Sequence, residues 1–173
     1  MTDRREFFIK DEPLRSEPFH YAMCGVPNVY LLNGVEVFED DGYGPSFQIR
    51  DIDGLHNAIA AAIVECPRTV TGAEVRFLRK RMGLTQAELA RRVRSSTQNV
   101  ANYEKGATGI PGPFDLMLRT VYMLHILPPD AGKAMLDELY KRVTEEAGAR
   151  EHVIPLGTAW NGVPVYQGEA RAC

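Results

Sequence analysis

The chain has 173 residues, a formal net charge of −3, 45% hydrophobic and 25% charged residues. That is the balance of an ordinary soluble globular protein, long enough for one sizeable core or two small ones. No apolar run approaches the roughly 20 residues a spanning helix needs, so no membrane partner is expected. The stretch MTDRREFFIKDEP has no signal-peptide core, which points to an intracellular, cytoplasmic protein. Cys24, Cys66 and Cys173 are odd in number and widely spaced, with no CxxC pair, so neither a disulfide framework nor a Cys-rich zinc site is supported.

Residues 1–17 are charged and proline-bearing and read as an extended or loose lead-in. Residues 19–50 read as β. Val29, Tyr30, Leu31 and Leu32, then Asn33-Gly34, then Val35, Glu36, Val37 and Phe38 are a hairpin signal, since Asn-Gly suits both positive-φ positions of a type I′ turn. Residues 19–23 add a strand before it and residues 46–50 one after it. Asp53 is placed to cap a helix at 54–65, with Leu55, Ile59, Ala62 and Ile63 on one face. Residues 1–67 thus read as a small acidic α+β module, one helix packed on a small sheet.

Cys66-Pro67-Arg68 marks the join to the next unit. Thr71 and Glu74 form a capping-box signature, and a helix follows to Met82 with Val75, Leu78 and Met82 as its apolar stripe. Gly83 ends it. The stretch TQAELARRVRSSTQNVANYEKG, residues 85–106, then reads as two short helices with a tight break between them. Thr85 and Glu88 form a second capping box, and Leu89, Ala90 and Val93 give the first helix its inward face. Arg94-Ser95 interrupts the pattern. Ser95 or Ser96 caps the second helix, which runs to Lys105 and stops at Gly106, suited to a left-handed cap. Val100 and Tyr103 turn toward the first helix, leaving Ser96, Thr97, Gln98, Asn99, Ala101 and Asn102 largely outward. A loop at 108–113 leads to a helix at 114–127, with Leu118, Val121, Leu124 and His125 as inward candidates. After Pro128-Pro129, Asp130 starts a last helix to residue 146. Its stripe of Met135, Leu136, Leu139, Tyr140 and Val143 packs on the helical core or forms a dimer interface. Residues 148–173 read as a short strand or extended tail, anchored by Trp160 on the N-terminal module or a second subunit.

The expected fold class is therefore α+β. A small β-rich N-terminal module with one helix precedes an all-α helix-turn-helix domain of about five helices at 68–147, and a C-terminal extended tail at 148–173 follows. Charge is divided along the same lines. Residues 1–67 hold five Lys/Arg against twelve Asp/Glu, and residues 68–105 hold nine against three. A block of net +6 on the helix pair is the footprint of a surface that contacts phosphate.

Nothing in the sequence asks for an enzyme or a cofactor. His20, His56, His125 and His152 fall in different elements, and no HExxH, GxSxG, GxxxxGK[ST] or GxGxxG occurs. Asp40 and Asp41 are adjacent, so their side chains diverge. His20 and Cys24 are four apart, but two ligands do not close a tetrahedral metal site.

Residues 71–127 resemble the lambda-repressor-like (Cro and XRE-type) helix-turn-helix family. The matching residues are Leu84-Thr85-Gln86, Glu88-Leu89-Ala90, Ser96, Gln98, Val100 and Tyr103-Glu104-Lys105-Gly106. The resemblance implies four or five helices, with the third reading a major groove of double-stranded DNA. By position it makes Thr97, Gln98, Asn99 and Asn102 the base-reading set, and Gln86, Arg91, Arg92, Arg94, Ser96 and Lys105 the phosphate contacts. The family usually has Gly at the position of Arg94. Arg94 either adopts a left-handed conformation, at roughly 1 kcal/mol relative to Gly, or supplies a phosphate contact. The order of a β-rich unit followed by TGAEVRFLRKRMGLTQAELA is similar to MqsA-type antitoxins, without their two CxxC pairs; residues 1–67 then read as a metal-free module with a protein partner of its own.

The function expected is a sequence-specific transcriptional regulator, a homodimeric repressor on a palindromic operator. The alternatives are an autoregulating antitoxin and a protein-interaction adaptor whose helix-turn-helix no longer binds DNA.

Overall fold

A computed structural model describes residues 4–38, 44, 46–128, 130–132, 134 and 166–169. In chain order its elements are β1 (Arg5–Ile9), β2 (Phe19–His20), β3 (Val29–Leu31), β4 (Val35–Phe38), β5 (Ser46–Ile49), α1 (Ile52–Glu65), α2 (Gly72–Arg81), α3 (Gln86–Arg92), α4 (Thr97–Glu104), α5 (Gly112–Ile126) and β6 (Tyr166–Glu169). A small β-sheet region precedes the run of helices, as the α+β class requires. The expected helix beyond Asp130 lies almost wholly outside the described residues, as do Trp160, Asp40 and Asp41.

Within the expected loose lead-in, residues 5–9 form a strand. In β1 the side chains of Arg5, Phe7 and Ile9 are buried while Glu6 and Phe8 are half-buried, the period-two pattern of a strand with one face on a core. β1 lies parallel to β3, with Arg5 opposite Val29 and Phe7 opposite Leu31. On its other edge β6 pairs antiparallel, from Glu6 opposite Glu169 to Ile9 opposite Tyr166. The sheet order is β2-β3-β1-β6.

Residues 29–38 are not a hairpin. β3 pairs with β1 and β2, whereas β4 pairs with β5 in a separate two-stranded sheet. The cause is the buried side chain of Asn33, which imitates a strand edge. Its Oδ1 accepts from the Ile9 amide at 2.6 Å, and its Nδ2 donates to the carbonyls of Ile9 at 2.9 Å and Glu12 at 3.2 Å. Of the Asn-Gly pair only Gly34 has a positive φ, +69°. One left-handed residue therefore swings the chain from one sheet to the next, where a type I′ turn needs two.

α1 starts two residues earlier than its sequence signal. Asp51, not Asp53, is the cap, and its carboxylate accepts from the Gly54 amide at 2.9 Å. Leu55, Ile59, Ala60 and Ile63 of α1 belong to one apolar cluster with Phe7, Ile9, Val29 and Leu31 of the sheet. The same cluster continues through Val75 and Leu78 of α2, Leu89 of α3, Val100 of α4 and Leu118 of α5. In α5 the inward face is Phe114, Leu118 and Tyr122; Leu124 and His125, expected inside, are exposed.

Polar contacts lock the β-rich unit to the helices. The Glu74 carboxylate is 1% exposed. It pairs with Arg5 of β1 at 2.6 Å and with both terminal nitrogens of Arg68 at 2.9 Å, and it accepts from the Thr71 amide at 2.7 Å. Burial pushes this carboxyl up, but Arg68, the Thr71 amide and Arg5 together outweigh it and hold the pKa at about 2. Arg119 of α5 reaches the C-terminal end of α1. It donates to the carbonyls of Ile63 at 3.0 Å, Val64 at 2.6 Å, Cys66 at 2.7 Å and Arg68 at 2.6 Å, where a cation suits the helix dipole. Arg81 of α2 bonds Asp53 and Asn57 of α1. His56 of α1 bonds the Tyr21 hydroxyl at 3.0 Å and meets the Phe77 ring of α2 edge-on.

Removing half of this joint should be costly. Glu74→Gln removes the carboxylate that the buried Arg5 and the half-buried Arg68 share and should lower unfolding free energy by about 3–5 kcal/mol at pH 7. Because the folded pKa lies below the ordinary carboxylate value of 4.5, the contribution of Glu74 is complete above that pH. It is lost as pH falls toward 2. Denaturant titrations between pH 6 and 3 should therefore show a smaller acid loss for Glu74→Gln than for the wild type.

Candidate nucleic-acid interface

The two capping boxes read from sequence are both formed. Thr71 and Glu74 exchange bonds at the start of α2, and Thr85 and Glu88 do so at the start of α3. Of the two serines that could start α4, Ser96 is the cap; its Oγ accepts from the Asn99 amide at 3.0 Å. Leu89, Ala90 and Val93 are buried, as are Val100 and Tyr103 on the facing side of α4. Tyr103 rests edge-on against Phe114 of α5, with ring centroids 4.7 Å apart.

A second buried carboxylate sets the angle among the three helices. Glu104, at the end of α4, accepts from Arg79 Nε of α2 at 2.5 Å and Nη2 at 3.0 Å, and from Gln86 Nε2 of α3 at 2.9 Å. Burial raises its pKa, but the Arg79 and Gln86 hydrogen bonds and the charges of Arg79 and Arg76 bring it below the ordinary value. Arg79 also donates to the Leu84 carbonyl at 2.8 Å, fixing the α2–α3 link. The first turn of α2 meets the last turn of α4 so closely that a Cβ on Gly72 would lie 2.2 Å from the Tyr103 carbonyl oxygen. Glycine is the residue that permits this approach.

All ten candidate residues fall on α3, α4 and the residues beside them. Thr97, Gln98 and Asn99 are exposed on the first turn of α4. Asn102 is half-buried one turn later, and its Oδ1 accepts from Gln98 Nε2 at 3.0 Å. Ser96 is engaged as the cap, and Gln86 is half-buried with one amide hydrogen held by Glu104. Arg91, Arg92, Arg94 and Lys105 are exposed, and none has a carboxylate within ion-pair distance among the described residues. Away from this face most guanidiniums are paired: Arg5 and Arg68 with Glu74, Arg79 with Glu104, Arg81 with Asp53, Arg119 with Asp115. α3, α4 and the turn between them thus carry amides, which both donate and accept, together with four cations that form no ion pair among the described residues. Glu74, Glu104 and Arg119 were not singled out from sequence. Glu74 and Glu104 carried signals, a capping-box position and a Tyr-Glu-Lys-Gly helix end, but no local pattern marks Arg119.

Residues 71–117 match a family described as a helix-turn-helix domain. The match runs from the cap of α2 into α5 and includes every candidate residue. No curated protein and no solved structure matches the chain. Among the described residues no group of His, Cys, Asp or Glu could hold a metal ion, and no helix is long and apolar enough to cross a membrane. Residues 71–117 therefore form a helix-turn-helix domain, joined to β1 through the buried Arg5–Glu74 pair.

Two substitutions and one control test this local geometry. Gly72→Ala should cost about 1–3 kcal/mol by forcing α2 away from α4, while Gly109→Ala, where a Cβ meets nothing within 4 Å, should change stability little. Ser96→Ala should cost about 1 kcal/mol through the lost cap. Urea denaturation of the three variants checks both.

Proposed function

We propose that this chain is a sequence-specific DNA-binding transcriptional regulator acting as a dimeric repressor on a palindromic operator. The observation that carries it is the outward face of α4. Thr97, Gln98 and Asn99 stand exposed on a helix held by Glu104 and Ser96, while Arg91, Arg92 and Lys105 beside them lack carboxylate partners among the described residues. A short rigid helix with amide side chains reads base edges; Gln or Asn matches adenine N6 and N7 in a bidentate pair. The cations hold the backbone on either side of the groove. Gln86 gives one amide hydrogen to Glu104 and has a second for a phosphate oxygen, so the same network sets the helix angle and presents the contact. Exposed Leu116, Leu124 and Ile126 on α5 favour a two-fold arrangement.

Selection of bound duplexes from a random pool should enrich a palindrome whose half-sites lie about one helical turn, or a multiple of it, apart. On that duplex Gln98→Ala should cost about 1–3 kcal/mol and relax preference at one base pair per half-site. Arg92→Ala should weaken all duplexes alike. Unchanged affinity and selectivity in Gln98→Ala would rule out this docking of α4.

A further inference from the structure

We infer that Arg94 is a phosphate-binding residue which the fold keeps at the α3–α4 turn against the backbone preference of that position; this deepens the DNA-binding proposal and rests on it. Three helices of this chain end in the same way. After α2, Gly83 has φ +66° and the Leu84 amide donates back to the Arg79 carbonyl at 3.1 Å. After α4, Gly106 has φ +69° and the Ala107 amide donates to the Asn102 carbonyl at 2.9 Å. After α3, Arg94 has φ +53° and the Ser95 amide donates to the Ala90 carbonyl at 2.9 Å. Each is the six-to-one bond of a Schellman ending, whose left-handed residue is ordinarily glycine. Two of the three sites follow that rule. The third, lying between the two helices of the helix-turn-helix, carries arginine.

Arg94 stands apart in a second way. The other non-glycine residues of positive φ among the described residues are Asp11 and Asn28, types that enter this region with least strain. No local duty explains the arginine. Its side chain is exposed and makes no hydrogen bond or ion pair among the described residues. Arg91 and Arg92 already supply the cations that suit the C-terminal end of α3. What Arg94 adds is a guanidinium two residues before the cap of α4, where a phosphate flanking the groove is within its reach and accepts a bidentate pair.

Arg94→Gly and Arg94→Lys separate the two effects. Arg94→Gly relieves the backbone and should raise Tm by about 2–4 °C, while weakening binding to two unrelated duplexes alike, by about eightfold at ~0.1 M salt. Arg94→Lys keeps the charge and the strained backbone, and should stay within about threefold of wild-type affinity with no gain in Tm. A glycine variant that binds as tightly as the wild type, that loses affinity for one duplex only, or that gains no Tm overturns the inference while the DNA proposal stands. A wild-type protein that binds no duplex at about 50 mM salt overturns both.

Discussion

Two parts of the chain converge on the Glu74 carboxylate: Arg5 from the distant first strand, and the segment just before α2, which brings Arg68 and the Thr71 amide. A charge buried to 1% exposure is tolerable only when it is fully paired. Every one of these partners must therefore sit where it does. β1 cannot leave the sheet without stranding Arg5, and α2 cannot shift without losing its own cap. Arg119 adds a second tie, clamping α5 to the end of α1 through the carbonyls of Ile63, Val64 and Cys66.

Placed on that joint, α2 becomes the platform for α4. Glu104 repeats the device one layer out, drawing Arg79 of α2 and Gln86 of α3 to the end of α4, and Gly72 lets the two helices touch backbone to backbone. Opposite charges are paired in the interior, while Arg91, Arg92, Arg94 and Lys105 on α3, α4 and their turn form no ion pair among the described residues. Long-range attraction for a polyanion follows from that division more than from net charge, which is −3 for the chain.

What the sequence made legible was local. Capping boxes at Thr71 and Thr85, the glycines at 83 and 106 and the apolar spacing within α2, α3 and α4 are signals a few residues wide, and the structure bears them out. Base-reading and phosphate-contacting residues follow from position on those helices; the structure places them on α3, α4 and the residues beside them, and their contact with DNA is the subject of the proposals above. What was illegible was non-local. Asn33-Gly34 looks like a hairpin turn until the amide of Asn33 is seen bonding the backbone of Ile9, twenty-four residues away. β1 has charged neighbours and passes for a tail, because its parallel partner β3 and its antiparallel partner β6 leave no mark beside it. Leu124 and His125 fit the helical period yet face outward, since the period fixes a stripe but not which edge of it the core covers.

Binding of the wild-type protein to a duplex of random sequence, measured across a salt series, tests the central claim most directly. Four unpaired cations on the α3–α4 face predict affinity that falls linearly in log–log form, with a slope of about −0.9 for each phosphate neutralised and so about −3 to −4 per chain. No measurable binding at low salt, or binding indifferent to salt, would contradict it and mark the helix pair as a protein-docking surface.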